Sequence, residues 1–186
     1  MKLYIKNMVC SRCKMVVKTE LAKHNLIPMA IELGEVEIHE QLNKKELHTL
    51  NTGLKHLGFE IIDDRRSRII EKIKNIIIEL VHHSSENLQV NLSEFIASRV
   101  HQDYNYLSNL FSEVEGTTIE KYLIAQKIER VKELLVYDEF SLSGIADQLG
   151  YSSVAYLSNQ FKRVTGLTPT YYKSLKEHKR KNIEEL

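Results

Sequence analysis

Residues 156–166 read Y-L-S-N-Q-F-K-R-V-T-G, and residues 106–116 read Y-L-S-N-L-F-S-E-V-E-G. One framework therefore recurs fifty positions apart. The match extends outward: Leu92-Ser93 pairs with Leu142-Ser143, Thr118 with Thr168, and Tyr122 with Tyr172. Ile96-Ala97 pairs with Ile145-Ala146 after a slip of one residue. A repeat of this length governs the reading of the whole chain. Each copy has the pattern of two short helices, the second amphipathic and ending at a glycine. That is a helix-turn-helix, present twice, and two such units in tandem point to DNA.

The stretch between the copies, Thr117 to Tyr137, reads as one long helix with Leu123, Ile124, Ile128, Val131, Leu134 and Leu135 on its apolar face. Upstream, Ile69, Ile70, Ile73, Ile77, Leu80 and Val81 repeat at helical spacing. From Asn91 the chain is expected to stay helical to about Lys181.

The segment I-A-D-Q-L-G-Y-S-S-V-A-Y-L-S-N-Q-F-K-R-V-T-G-L-T-P at 145–169 resembles the second-unit signature of the AraC family of bacterial transcription regulators, including its terminal G-x-T-P. Y-L-I-A-Q-K-I-E-R-V-K-E-L-L at 122–135 resembles that family's connecting helix. The resemblance covers residues 67–178 and implies an all-α DNA-binding domain, here bounded at 67–181. Each unit would place its second helix in a major groove, about one helical turn of DNA apart, so one chain could read a bipartite duplex site.

The exposed positions near the start of each recognition helix are the candidate readers. In the first unit they are Asn105, Tyr106, Ser108 and Asn109; in the second, Ala155, Tyr156, Ser158 and Asn159. Asn pairs bidentately with adenine, Ser contacts several bases, and Ala touches a thymine methyl. Neither set contains the arginine that commonly reads guanine, which favours A·T-containing sites. Lys162 and Arg163, with Lys127 and Arg130, are candidates for phosphate contact. Leu107, Leu110, Phe111, Leu157 and Phe161 are expected in the core, Tyr106 and Tyr156 could serve either role, and Gly116, Gly150 and Gly166 read as helix stops or turns.

Composition sets limits. The 186 residues suffice for one or two small domains, and 42% apolar with 27% charged residues is ordinary for a soluble protein. Net charge is +1, being −1 over residues 67–186 and +2 over 1–66, so any DNA-binding face must come from local placement. No apolar run approaches the roughly 20 residues of a membrane helix. The N-terminus lacks the apolar region of a signal peptide, so no membrane partner and a cytoplasmic location are expected.

The first 64 residues have a different rhythm. Tyr4 and Ile5 sit in a short strand that ends near Asn7, and a helix follows from about Ser11 to His24 with Cys13, Val16, Val17 and Leu21 on one face. Met29, Ile31 and Leu33 alternate as a strand, Gly34 marks a turn, and Val36 and Ile38 return. Asn43 with Glu46 reads as a capping pair, and Leu47, Leu50, Leu54 and Leu57 stripe the helix that Gly58 stops before a last strand, Phe59 to Ile62. The order βαββαβ predicts a ferredoxin-like domain over 1–64, making the chain α+β overall, with the all-α double helix-turn-helix domain after it. Asp63-Asp64-Arg65-Arg66 forms a short charged linker without Gly or Pro.

The only cysteines, Cys10 and Cys13, fall between the first strand and first helix. A cytosolic C-x-x-C suits a metal or redox site better than a structural disulfide. The helix N-terminus favours thiolate, nearby Arg12 and Lys14 add positive charge, and sulfur selects soft metals. Met8-x-Cys10-x-x-Cys13 together with L-x-x-L-G-F-E-I near 54–62 resembles the heavy-metal-associated domain of copper chaperones and metal-ATPase N-termini. That resemblance implies Cys10 and Cys13 as ligands of Cu(I), with Hg(II), Zn(II) or Cd(II) possible in some members, and Met8 packed beneath the loop. Asn7 departs from the family's frequent glycine, and Leu57-Gly58-Phe59 offers no Lys or Tyr to offset a bis-thiolate charge. Two cysteines are also too few for a closed tetrahedral zinc site. His82-His83 reads as a solvated helix end.

These readings predict a bacterial, sequence-specific DNA-binding transcription regulator that responds to a soft metal ion, Cu(I) favoured. The alternatives are a redox-sensing regulator using a Cys10–Cys13 disulfide, and a metal carrier or buffer tethered to DNA. Beyond double-stranded DNA, RNA polymerase or a metal-delivering protein are the expected partners, with the chain a monomer or weak dimer. No nucleophile–base pairing or phosphate loop predicts an enzyme. One geometric difficulty stands: an antiparallel last strand would exit at Asp63, at the end of the domain away from the cysteine loop.

Overall fold

A computed structural model describes residues 1–62, 64–83, 91–137 and 140–175. Asp63 of the charged linker, residues 84–90, and the expected helix beyond residue 175 lie outside the described residues. By internal contacts the chain forms two compact units: Met1–Ile76 with Ile96–Val114, and Ile77–Phe95 with Glu115–Leu186. The stretch 1–64 that the sequence sets apart lies wholly in the first.

In the first unit the order is β1 (Lys2–Lys6), α1 (Ser11–Lys23), β2 (Pro28–Glu32), β3 (Glu35–Ile38), α2 (Lys44–His56) and β4 (Glu60–Ile61). The four strands form one antiparallel sheet in the order β2-β3-β1-β4. Strand alternation sends Leu3, Ile5, Val36 and Ile38 to one face, where Val17 and Leu21 of α1 and Leu50 and Leu54 of α2 complete the core. Burying such side chains contributes roughly 1.5–3 kcal/mol each. Asn43 caps α2 through a full capping box with Glu46.

The sequence pattern misplaces three side chains. Val16 of α1 is 39% exposed, while Glu20 is buried. Its carboxylate pairs with Lys23 at 2.6 Å and packs against Gly53 of α2, in the space a Cβ there would take. The helices approach each other through this glycine, so α1 turns an acidic position inward. Leu57 caps α2 and is exposed rather than extending its stripe. Met29 is also exposed: Pro28 and Ala30 pair with the adjacent Ile38 and Glu37, which leaves Met29 as the extra residue of a bulge on the edge strand.

α3 (Arg65–Ile78) begins where Asp64 accepts the Ser67 N–H at 2.9 Å. It returns along the sheet face opposite the core. Arg68 lies 4.5 Å over the Tyr4 ring, Glu71 Oε2 accepts the Asn7 N–H at 3.4 Å, and Asn75 packs on Gly34. The helix thus starts at the far end and comes back to the cysteine loop, removing the difficulty the strand direction posed. Beyond it, Glu79–His83 form a π-helical turn that the sequence does not signal.

α4 (Leu92–Val100) and α5 (Tyr104–Glu115) are the first helix-turn-helix. In the second unit, α6 (Ile119–Tyr137), α7 (Leu142–Gln148) and α8 (Val154–Thr165) enclose Ile128, Val131, Leu134, Ile145, Ala146, Leu149, Leu157 and Phe161. A further helical stretch, 169–175, sets Tyr172 edge-on to Phe161 at 5.6 Å.

Candidate functional site

The recognition helices are built alike. Asp103 Oδ1 accepts the Tyr106 N–H at 3.1 Å, and Ser153 Oγ accepts the Tyr156 N–H at 3.1 Å, so each helix carries its own N-terminal cap. Gly166, with φ 78°, ends α8 in the left-handed conformation and returns its N–H to the Lys162 carbonyl. Between the caps and stops, residues 106–111 and 156–161 follow one burial order: exposed Tyr, buried Leu, half-buried Ser, exposed Asn, then two buried residues.

All the candidate readers therefore reach solvent. Asn105, Tyr106 and Asn109 are exposed on α5, with Ser108 half-buried; Ala155, Tyr156 and Asn159 are exposed on α8, with Ser158 half-buried. Lys162 and Arg163 project from the last turn of α8 and are exposed. Lys127 and Arg130 are instead held in packing. The Lys127 amine lies 5.1 Å over the Tyr151 ring, where burial pushes its pKa down, and Arg130 pairs with Glu133 at 2.6 Å.

Tyr151 and Gln160 are the residues the sequence reading overlooks. Both are buried, and the Tyr151 hydroxyl donates to Gln160 Oε1 at 2.7 Å. Burial pushes the Tyr151 phenol up to about 12. Their signal was the one-residue slip in the repeat. His101 (φ 59°) takes the left-handed turn position that Gly150 (φ 66°) holds in the second copy. From there to the capping residue the second copy is one residue longer, and Tyr151 fills the turn.

His82 also departs from the expected solvated helix end. Its Nε2 lies 3.2 Å from Gln126 Oε1, and its Nδ1 lies 3.9 Å from Glu133. Burial, helped by Arg130 and His83, pushes its pKa below the ordinary value against the opposing pull of Gln126 and Glu133.

In the first unit, Met8 is fully buried in the core, and Cys13 packs partly against it. Cys10 is the N-cap of α1, in extended conformation, with its Sγ 3.3 Å from that of Cys13. The Cys13 backbone N–H and thiol, helped by the Arg12 N–H and guanidinium, hold the Cys10 thiol below its usual range. Asn7 adopts a left-handed φ of 71° and donates its side chain to the Gly58 carbonyl at 2.9 Å, pinning the loop to the α2–β4 turn. Asparagine tolerates that conformation, which accounts for its standing where a glycine would serve. Among the described residues no three His, Cys, Asp or Glu side chains converge as a metal cluster. The donor set is the two sulfurs alone, which fits a soft ion of low coordination number and not a closed tetrahedral zinc site.

The family described as a helix-turn-helix domain matches residues 96–174. The chain is 29% identical over 157 residues to the uncharacterized HTH-type transcriptional regulator YtdP of Bacillus subtilis, covering 80% of this chain and 20% of that protein. The chain thus spans about a fifth of that relative's length. The C-terminal domain of AraT, a response regulator from Geobacillus stearothermophilus, superposes with a TM-score of 0.51 at 25% identity, covering 60% of this chain and 88% of that one. The DNA-binding domain of AdpA, solved with a target DNA, shares the fold with a TM-score of 0.51 at 22% identity, over 59% and 96% of the two chains. Among the described residues no helix is long and apolar enough to cross a membrane.

Proposed function

We propose that this chain, whose residues 96–174 form a helix-turn-helix domain of the AraC type, is a sequence-specific DNA-binding transcription regulator answering to a soft metal ion held by Cys10 and Cys13. It acts by binding and not as an enzyme. The observation that carries the DNA reading is the matched, separately capped pair of recognition helices, each presenting Tyr, Ser and Asn outward over a buried Leu-Phe base. Asn and Ser at those positions suit base edges in a major groove, and Lys162 and Arg163 suit phosphate.

The metal reading rests on the N-terminal unit, which we take as a ferredoxin-like domain of the heavy-metal-associated type. Two thiolates at the mouth of α1, one with a depressed pKa, would hold Cu(I) by preference. A bound ion supplies a fixed positive charge that locks the two sulfurs together. The loop carrying them has a route outward: Asn7, three positions before Cys10, donates its N–H to Glu71 of α3. Displacing the loop changes what Glu71 and its neighbour Lys74, 3.4 Å away, can bond.

A redox reading is favoured by one observation. With sulfurs 3.3 Å apart, the cysteines need approach by only about 1.2 Å to reach the roughly 2.05 Å of a disulfide. DNA affinity measured anaerobically at fixed salt, with and without Cu(I), decides between them. A metal-dependent shift that disappears in the Cys10→Ser, Cys13→Ser variant supports the metal regulator. A shift produced by oxidant alone supports the disulfide switch. Absence of sequence-selective binding under every condition removes the regulator reading.

A further inference from the structure

The two recognition helices share a frame but not a charge. Lys162, Arg163 and Thr165 of α8 stand where α5 has Ser112, Glu113 and Glu115. Val154–Thr165 contains two basic residues and no acidic one, whereas Tyr104–Glu115 contains two acidic residues and no basic one. The caps repeat the contrast, with neutral Ser153 before α8 and Asp103 before α5. Positions 106–111 and 156–161 keep the same burial order, and the charge difference lies at exposed and half-buried positions.

The first copy has also given its surface another partner. Glu113 occupies the position of Arg163, and its carboxylate takes the guanidinium of Arg66, from the start of α3, at 2.6 Å. Residues Ile96–Val114 belong to the same compact unit as Met1–Ile76. An exposed pair of this kind adds little stability. Its meaning lies in sign: a carboxylate at the phosphate-contact position repels a polyanion, and here it faces a cation of the same chain. Lys162 and Arg163, by contrast, are exposed and pair with no carboxylate among the described residues.

We infer that the two helix-turn-helix units are unequal, α8 holding the DNA backbone and setting base preference through Ser158 and Asn159, while α5 is turned to protein through Glu113 and Arg66. This rests on the DNA-binding reading proposed above. The energetics favour it because phosphate neutralisation dominates affinity for DNA, and of the two recognition helices only α8 carries basic residues. Base-reading side chains on α5 lack the backbone contacts that would hold them in register.

The test uses the full chain and a duplex recovered from a random pool by repeated selection with the wild-type protein. Affinity is then measured over a salt series. Lys162→Gln with Arg163→Gln should flatten the slope of log K against log salt by about 2, near 0.9 for each phosphate left without its cation. Asn159→Ala should weaken binding about tenfold or more and relax base preference at one step. Asn109→Ala should cost less than a third of that factor, and Glu113→Gln should not tighten binding. Equal losses from Asn109→Ala and Asn159→Ala, or a several-fold gain from Glu113→Gln, would place α5 in a groove and overturn the inference while leaving the DNA reading standing. Failure of the pool to yield any preferred duplex would overturn both. Thermal melting of each variant separates unfolding from weakened recognition.

Discussion

The Tyr151 hydroxyl donates to Gln160 Oε1 at 2.7 Å within the second unit, joining the turn before α8 to that helix's inner face. The bond is buried, so each partner depends on the other. Tyr151→Phe leaves the Gln160 carbonyl unsatisfied and should cost about 1–3 kcal/mol. The first copy has Leu110 at the position of Gln160. Adding Gln160→Leu to Tyr151→Phe should therefore recover most of the deficit, since removing both polar partners is nearly neutral. Urea denaturation of the two single variants and the double variant checks this as a cycle, and strict additivity would refute it.

Gly34, with φ 82°, makes the turn between β2 and β3 and lies against the buried Asn75 amide of α3. An alanine there meets both a left-handed backbone and an occupied space. Gly34→Ala should destabilise by at least the roughly 1–2 kcal/mol of the backbone conformation alone. The urea midpoint should fall with an unchanged m-value. Wild-type stability in this variant would refute the left-handed turn at Gly34 together with its contact to Asn75.

His82 gives the protein an acid-sensitive contact. Its folded pKa lies below the ordinary 6.5, so the folded state binds fewer protons there than the unfolded chain. The contribution is present above pH 6.5 and is lost as pH falls through that value toward the folded pKa. His82→Gln should flatten stability between neutral pH and the acid side, with the larger difference from wild type near neutrality. Arg130, Glu133 and His83 face the ring and set the size of the effect. Thermal melts across that range measure it, and parallel curves for the two proteins would count against it.

The Cys10 thiol, held low by the Cys13 and Arg12 N–H groups, should alkylate at lower pH than an ordinary thiol. In Cys13→Ser, where Cys10 is the sole cysteine, the midpoint of iodoacetamide reactivity against pH should still fall below the usual value of about 8.5. It should lie above the wild-type midpoint, because the Cys13 thiol also contributes. A midpoint at or above the usual value would show that the helix mouth does not stabilise the thiolate.

Much of this was legible because it is local. The repeat predicted both helix-turn-helix units, the Asn43–Glu46 pair predicted its capping box, and alternation predicted the strands β2 and β3. What escaped depends on how elements meet. Helical periodicity marks an apolar face but cannot tell that Gly53 lets Glu20 pack inward and turns Val16 out. The return of α3 is set by Arg68 on Tyr4 and Asn75 on Gly34, contacts between residues more than forty positions apart. Lys127 looked like a phosphate ligand because a sequence shows its charge and not the Tyr151 ring beneath it. The slip in the repeat was visible, but only packing reveals that the additional side chain fills the core.

Each recognition helix begins at its own Asp103 or Ser153, and the helix after it at its own Thr118 or Thr168. The instructions for folding a copy are thus contained within that copy and lie at its ends and inner face. The outer face carries none of them. The surface of one copy therefore carries the opposite sign while its helix keeps a capped start, so folding and recognition are written on separate faces. A segment exchanged between positions 103–116 and 153–166 would bring its own caps with it but would part Gln160 from Tyr151, so the copies are interchangeable at their ends and not on the inner face of α8.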